Sequence, residues 1–164
     1  MTLNRIPVPA NMRFFEDIKA GQVYEFGTIT VSEKEIIDFA REFDPQDFHL
    51  DPTKAASSPF GGIVASGWHT TSVVMRLYVD HYLSHVANLG SPGVEDIRWQ
   101  NPLRPDDTLR IRVTILEARP SRSKPDRGIV RVRVEAINQT DNPVLSMIVV
   151  SFVGRRQESS ASSA

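Results

Sequence analysis

The spacing of apolar residues at the start of the chain predicts a strand followed by a helix. Residues 22–31 are rich in β-branched and aromatic side chains, which is typical of a strand. Ser32 and Glu35 have the spacing of a capping box, which predicts that a helix begins there. Pro45 disfavours helical backbone at the residue before it, so this helix is predicted to end at Asp44.

The next part of the chain predicts a loop and then a long apolar helix. Residues 44–51 have no helical or strand periodicity and predict an irregular loop, after which Pro52 suits the first position of a short helical turn. From Ser66 to about His85, large apolar residues recur at steps of three and four and cover most of the circumference. A helix with that pattern is usually buried, so we expect it to run through the core.

Four further strands follow the helix, and they predict an antiparallel sheet. They are residues 94–100, 109–115, 130–136 and 144–153, with a polar hairpin loop at 118–128. The second and third alternate strictly between apolar and polar residues, as strands with one buried and one solvated face do. The economical packing is a single α+β domain of about five strands wrapped around the long helix, the hotdog fold. The alternative is a cone-shaped α+β fold of the ketosteroid isomerase type, which places more helix before its first strand.

Length and composition limit the possible functions of the chain. Its 164 residues fit one domain, which we place at 13–154 between polar tails at 1–12 and 155–164. The net charge of −1 gives no argument for binding nucleic acid or a membrane surface. The absence of cysteine excludes a thiolate nucleophile and a cysteine zinc site. With no apolar stretch typical of a secretory signal, we expect a cytoplasmic protein.

Candidate acid–base chemistry lies in the predicted loop. Asp44 and His49 are close in sequence, and a turn at Pro45-Gln46 would bring their side chains together. A carboxylate beside an imidazole is a general acid–base pair. The alternative is an exposed acidic turn that happens to contain a histidine. For His69, His81 and His85 on the long helix we expect packing or surface roles rather than a metal site.

A second candidate feature is Ser66-Gly67, at the start of the long helix. The first turn of a helix has free N–H groups and a partial positive charge, and glycine allows a substrate to approach the backbone closely. An N–H group there can stabilise an oxyanion. The equally simple alternative is that Ser66 caps the helix and Gly67 is needed for tight packing.

These segments resemble the MaoC-like dehydratases, which include R-specific enoyl-CoA hydratases. The resemblance covers roughly residues 14–154, and the sequences that carry it are FDPQDFHLDPTKAASSPFGGIVASGWHT at 43–70 and GSPGVEDIRWQNPLRPDDTL at 90–109. The family motif is Asp-x-Asn-Pro-(aliphatic)-His, with a glycine eighteen positions later. The catalytic positions hold Asp44 and His49, and the glycine is Gly67. The motif differs at Gln46, Asp47 and Phe48, and the first of these replaces an asparagine that holds the loop and the substrate.

The resemblance implies a hotdog fold and a reversible addition of water to a trans-2-enoyl-CoA. Asp44 would act as base on the water, His49 would supply a proton to C2, and the Gly67 N–H would stabilise the thioester oxygen. Ser66 and Gln46 would assist in binding the substrate. The resemblance implies no metal or redox cofactor, an acyl-CoA substrate as the small-molecule partner, and a homodimer or an oligomer of dimers with the acyl site at a subunit interface.

Two other functions remain open from the sequence. The first is a hotdog thioesterase, although such enzymes usually place an acidic residue near the central helix and none occurs between Ser66 and Asp80. The second is a non-catalytic acyl-CoA-binding subunit, against which the presence of both Asp44 and His49 argues. Six cations are candidates for binding the coenzyme A phosphates, or else are solvated surface charges: Arg98, Arg104, Arg119, Arg122, Lys124 and Arg127.

Overall fold

A five-stranded antiparallel sheet dominates the computed structural model, which describes residues 12–156. The order across the sheet is β1-β3-β4-β5-β2, so β1 and β2 form the two edges. The last three strands in the chain are neighbours, as a meander joined by short turns requires. The strands are β1 (Val23–Thr30), β2 (Gly93–Trp99), β3 (Thr108–Pro120), β4 (Arg127–Ile137) and β5 (Pro143–Gly154).

The α-helices all lie between β1 and β2 in the chain. Short 3-10 turns occur at Phe15–Asp17 and Leu83–His85. The first helix begins at the predicted capping box, in which Ser32 and Glu35 each accept a hydrogen bond from the other's backbone N–H. The helices are α1 (Glu33–Phe43), α2 (Asp47–Leu50), α3 (Pro52–Ala56) and α4 (Gly67–His81).

The core lies between the sheet and one face of α4. Alternate residues of β3, from Leu109 to Ile115, are buried, and the residues between them are half-buried, as the sequence predicted. Val74 and Tyr78 of α4 are fully buried against them. An antiparallel sheet around a central helix is the predicted hotdog fold rather than the cone-shaped alternative.

The long helix is less completely buried than its apolar pattern predicted. It ends at His81 rather than near His85, and the final residues form a separate 3-10 turn. Trp68, Met75 and Val79 are exposed. The physical reason is that the sheet covers only one side of α4, so the apolar residues on the other side remain uncovered in a single protomer.

The β3–β4 hairpin is longer than its sequence suggested. The region 118–128 was expected to be a loop, but the ladder continues to the pair Pro120–Gly128, so the connection is only 121–126. Backbone pairing overrides the turn-forming composition of these residues because it satisfies polar groups of both strands.

The two ends of the described chain lie side by side. Arg155 and Arg156, which the sequence analysis assigned to the C-terminal tail, pair with Glu16 and Asp17 at 3.1 and 2.8 Å. The rest of the two predicted tails, residues 1–11 and 157–164, lies outside the described residues. In the part of the chain that is described, no helix is long and apolar enough to cross a membrane.

Candidate active site

The connection after α1 brings Asp44 and His49 together, as the sequence predicted. Asp44 ends α1, and its backbone has left the helical region, as expected before Pro45. The residues that follow are not an irregular loop as expected, because the short helix α2 begins at Asp47, directly after Gln46, and carries His49. This single helical turn directs the imidazole back toward the end of α1.

Asp44 and His49 form a carboxylate–imidazole pair. His49 Nε2 lies 3.4 Å from Asp44 Oδ2, and the imidazole is 5% exposed. On the other side of the ring, Nδ1 lies 2.6 Å from the carbonyl oxygen of Val64. Because a carbonyl can only accept, Nδ1 carries a proton and Nε2 is the atom that faces the carboxylate. The gap between Nε2 and Oδ2 allows both atoms to contact one water molecule.

Hydrogen bonds hold Asp44 in its ionised form. The neighbouring Ser66 side chain is the main influence that lowers the pKa of Asp44, and the Gln46 amide and the nearby His49 act in the same direction, against the effect of burial. Gln46 Nε2 donates to Asp44 Oδ1 at 2.7 Å. The amide that differs from the family motif therefore contacts the Asp44 carboxylate directly.

Ser66 and Gly67 form the N-terminus of α4 next to this pair. Ser66 is fully buried and caps the helix by accepting from the Trp68 N–H at 3.3 Å. Gly67 lines the same cavity as Asp44 and His49. The packing explanation for Gly67 also has a definite cause, because a Cβ on this residue would lie 2.6 Å from Cε2 of Trp99. The site therefore needs glycine at this position whether or not the N–H binds a substrate.

The cavity at the site has a volume of about 460 Å³, which is in the range of small-molecule sites. The acid–base pair and Gln46 supply polar groups on its wall. Most of the remaining lining is aromatic or aliphatic, and consists of Phe48, Phe60, Val64, Ala65, Trp68, Trp99 and Leu103. Such a cavity suits a largely apolar ligand with one reactive polar group.

Packing or surface roles were predicted for the other three histidines, and two of them pack against neighbouring rings. His69 is buried and stacks on Phe39 at 4.7 Å between ring centroids, and its burial lowers its pKa, although Glu35 acts in the opposite direction. His81 stacks on Phe26 at 5.8 Å and lies against Gly27, where φ is +26° and a side chain would collide with the imidazole. The carbonyl of His85 accepts from the Arg13 N–H at 2.8 Å.

Among the six candidate cations, Arg104 lies at the cavity. Its Nη2 donates to the carbonyl of Phe60, a residue of the cavity wall, at 2.8 Å. Four others lie at or near the tip of the β3–β4 hairpin: Arg119, Arg122, Lys124 and Arg127. At a typical rise per residue, the length of β3 from its start to this tip is about 40 Å. Arg98, Arg119 and Arg127 pair with acidic neighbours in the described structure.

Sequence reasoning missed the aromatic wall of the site and the partner of His49. Trp99 gave only the signal of a strand residue, and Phe48 and Phe60 gave none beyond their apolar character. The Val64 carbonyl is a backbone group, so nothing in the sequence marks it as the group that fixes the imidazole. Only the tertiary structure places these groups together.

Comparisons with known proteins show which proteins the chain is similar to. Residues 16–138 match the sequence profile described as MaoC like domain. The uncharacterized protein YdeM of Bacillus subtilis (strain 168) is 31% identical over 126 residues, which cover 77% of this chain and 88% of that protein. The 3-hydroxyacyl-thioester dehydratase Z of Mycobacterium tuberculosis is 25% identical over 150 residues, covering 87% and 99%. The crystal structure of a MaoC-like dehydratase from Rhodospirillum rubrum matches with a TM-score of 0.82 and 38% identity, covering 89% of this chain and 99% of the other.

Proposed function

The chain belongs to the MaoC-like dehydratase family, and on that premise we propose that it is a hydro-lyase that adds water to, or removes it from, the C2–C3 bond of an acyl-CoA. The observation that carries the proposal is the Asp44–His49 pair, 3.4 Å apart in an apolar cavity beside the N-terminus of α4. The dehydratase that is 25% identical to this chain carries a name for the same reaction class.

The proposed reaction, written in the hydration direction, moves two protons. In this scheme Asp44 is the ionised base, His49 Nδ1 stays bound to the Val64 carbonyl, and Nε2 carries the proton that C2 receives. A water held between the two side chains gives a proton to Asp44 as its oxygen attacks C3. His49 delivers its Nε2 proton to C2, and the proton on Asp44 then returns to Nε2. Dehydration runs through the same steps in reverse.

The thioester oxygen gains negative charge when water attacks C3, and Gly67 supplies the group that stabilises it in this proposal. Its N–H belongs to the first turn of α4, where N–H groups have no partner within the helix and the helix dipole is positive. A donor of this kind typically contributes about 10²–10³ in turnover. The reaction needs no metal or redox cofactor, because the protein itself supplies the base, the acid and the oxyanion donor.

We propose further that the chain forms a homodimer through β2 and α4. β2 is an edge strand, and open edges with exposed apolar residues favour pairing with another chain. The contact between Trp68 and Trp99 joins this edge to the exposed side of α4, where Met75 and Val79 lie. Together these residues form an apolar surface beside the cavity, so in the proposed dimer the site lies at the subunit interface.

Two variants test this assembly. Val94 on β2 and Val23 on β1 are each 46% exposed, on opposite edges of the sheet. Light scattering at micromolar concentration is expected to show a dimer for the wild-type chain and for Val23→Glu, and a monomer for Val94→Glu. A wild-type monomer contradicts the proposal, as does a Val94→Glu dimer with unchanged affinity.

The reaction itself is tested with a panel of enoyl-CoA thioesters of increasing length. The expected result is a loss of the absorbance of the conjugated thioester without release of a free thiol. Release of thiol would indicate the thioesterase instead, and binding measured by calorimetry without turnover would indicate a binding subunit. Folded protein that neither hydrates nor binds any of the thioesters would overturn the proposal.

A further inference from the structure

Trp99 ends β2 and lies across the first turn of α4. Its Cε2, Cδ2 and Cζ2 atoms are 2.6, 2.8 and 3.0 Å from the position that a Cβ on Gly67 would take. The indole is also part of the wall of the cavity that contains Asp44 and His49. A ligand group that reaches Gly67 from the cavity therefore lies next to this ring.

The position of the indole is fixed by several contacts. Trp99 Nε1 donates to Thr71 Oγ1 at 3.2 Å, and that hydroxyl donates in turn to the Gly67 carbonyl at 2.8 Å. The edge of the Trp68 ring packs on Trp99 with 5.4 Å between centroids. Moving the ring away from α4 would break these contacts together, so they hold the ring against the first turn of α4.

We infer that Trp99 determines the acyl specificity of the site and restricts it to short acyl groups. This inference rests on the proposed function, in which the thioester oxygen lies at Gly67. The acyl carbons attached to that thioester must pass the indole, so the size of the side chain at this position limits the space that they have. A smaller side chain at this position enlarges the cavity by most of the volume of an indole without touching Asp44 or His49.

The experiment compares kcat/KM for a butenoyl, an octenoyl and a dodecenoyl thioester of coenzyme A. For Trp99→Ala, the ratio of the dodecenoyl to the butenoyl value is expected to rise at least about tenfold over wild type, the scale on which apolar pockets discriminate chain length. Trp99→Phe is expected to give a smaller rise. Val23→Ala removes an apolar side chain of equal exposed fraction on the opposite edge strand and is expected to keep the wild-type ratio.

A binding measurement makes the outcome independent of turnover. Both tryptophans of the chain line the cavity, so intrinsic fluorescence reports its occupation, and Trp68 remains as the reporter in the Trp99 variants. Saturated acyl-CoAs of the same lengths are expected to show the same change of preference. If Trp99→Ala does not fold, Trp99→Phe and Trp99→Leu provide the comparison.

The outcomes separate this inference from the proposed function. An active wild-type protein with an unchanged chain-length ratio in folded Trp99 variants overturns the role of Trp99 alone. A wild-type protein that neither hydrates nor binds the thioesters overturns the proposed function. If the protein binds the thioesters without turnover, the role of Trp99 is still tested by the ratio of the affinities for long and short acyl-CoAs.

Discussion

Polar side chains lie in apolar surroundings beside both ends of α4. The two groups differ in their hydrogen-bond partners and in whether a ligand can reach them. At the N-terminal end, Asp44 and His49 each have a defined hydrogen-bond partner and face a cavity of about 460 Å³. At the C-terminal end, Tyr82 and Arg13 are buried against the sheet and the chain around them closes the space.

The closed end is held together by its rings. The Arg13 guanidinium lies 4.7 Å from the ring centroid of Tyr24 and 4.8 Å from that of Tyr82, so its charge is stabilised by aromatic faces. The Tyr82 hydroxyl is buried with no hydrogen-bond partner among residues 12–156. Burial raises the pKa of Tyr82 to about 12, although the charge of Arg13 acts in the opposite direction, so the hydroxyl stays neutral at physiological pH.

The difference shows that burial alone shifts pKa values but does not create a functional site. Both ends shift the pKa values of polar groups, but only the N-terminal end combines an ionised group, a fixed imidazole and a cavity for a ligand. The C-terminal end has perturbed groups without access. We therefore expect substitutions at the first end to change turnover and substitutions at the second to change stability.

The largest effect is expected from the acid–base pair. Asp44→Asn and His49→Ala should each lower turnover by roughly a hundredfold or more, the scale of a lost general acid or base, while the far-ultraviolet circular dichroism spectrum stays that of the wild type. Asp47→Asn is the matched control, because Asp47 lies on the same turn, is exposed and pairs only with Lys54 in the described structure. If either pair variant keeps near wild-type turnover, the assignment of the site is wrong.

An intermediate effect is expected at Gly67, where packing and catalysis overlap. Gly67→Ala forces a methyl group against Trp99 and should lower the free energy of unfolding by about 1–3 kcal/mol, the usual cost of overpacking. In a Trp99→Leu background the same change should cost less than about 1 kcal/mol, because the collision is relieved. Thermal unfolding of the wild type, Gly67→Ala, Trp99→Leu and the double variant measures how strongly the two positions are coupled in stability.

Turnover of the same four proteins separates the two roles of Gly67. In the double variant the added methyl group still crowds the thioester. We therefore expect its turnover to be lower than that of Trp99→Leu by a factor on the order of 10²–10³. Recovery of turnover together with stability would leave Gly67 as a packing residue only.

The smallest effect is expected at the closed end of α4. Tyr82→Phe removes a buried hydroxyl that has no partner, so the free energy of unfolding should be unchanged or higher by up to about 1 kcal/mol. Turnover should equal that of the wild type, since Tyr82 lies outside the cavity. Denaturant unfolding and the hydration assay on one preparation check both statements. A large loss of turnover would mean that the two ends of α4 are coupled.

Much of the fold was predictable because its signals are local. The capping box at Ser32, the break at Pro45 and the strict alternation in β3 and β4 each depend on neighbours in the sequence. Two predictions about the fold were wrong because they depend on tertiary contacts: the length of the β3–β4 hairpin and the burial of α4. The continued ladder to Pro120 extended the hairpin, and the one-sided sheet left part of α4 exposed, neither of which a periodicity can show.

The site was predictable only as far as its side chains lie close in sequence. The Asp44–His49 pair spans one turn, so its spacing carried the signal. Gln46 was expected to assist with the substrate, and its observed contact with Asp44 depends on the backbone path through α2. Trp99 comes from β2, a distant strand, and its approach to Gly67 follows from the topology of the sheet rather than from any motif.

The strand order also has a consequence for how the molecule assembles. β3, β4 and β5 are consecutive in the chain and pair across short turns, whereas β1 reaches β3, and β2 reaches β5, only after long stretches of chain have been brought together. Closing a short loop costs less entropy than closing a long one, so we expect the meander to form first and the edges to dock afterwards. Trp99 is carried by one of those edges, and the other residues of the cavity lie between β1 and β3 in the chain. The residues that line the cavity are thus expected to lie in the part of the chain that orders last.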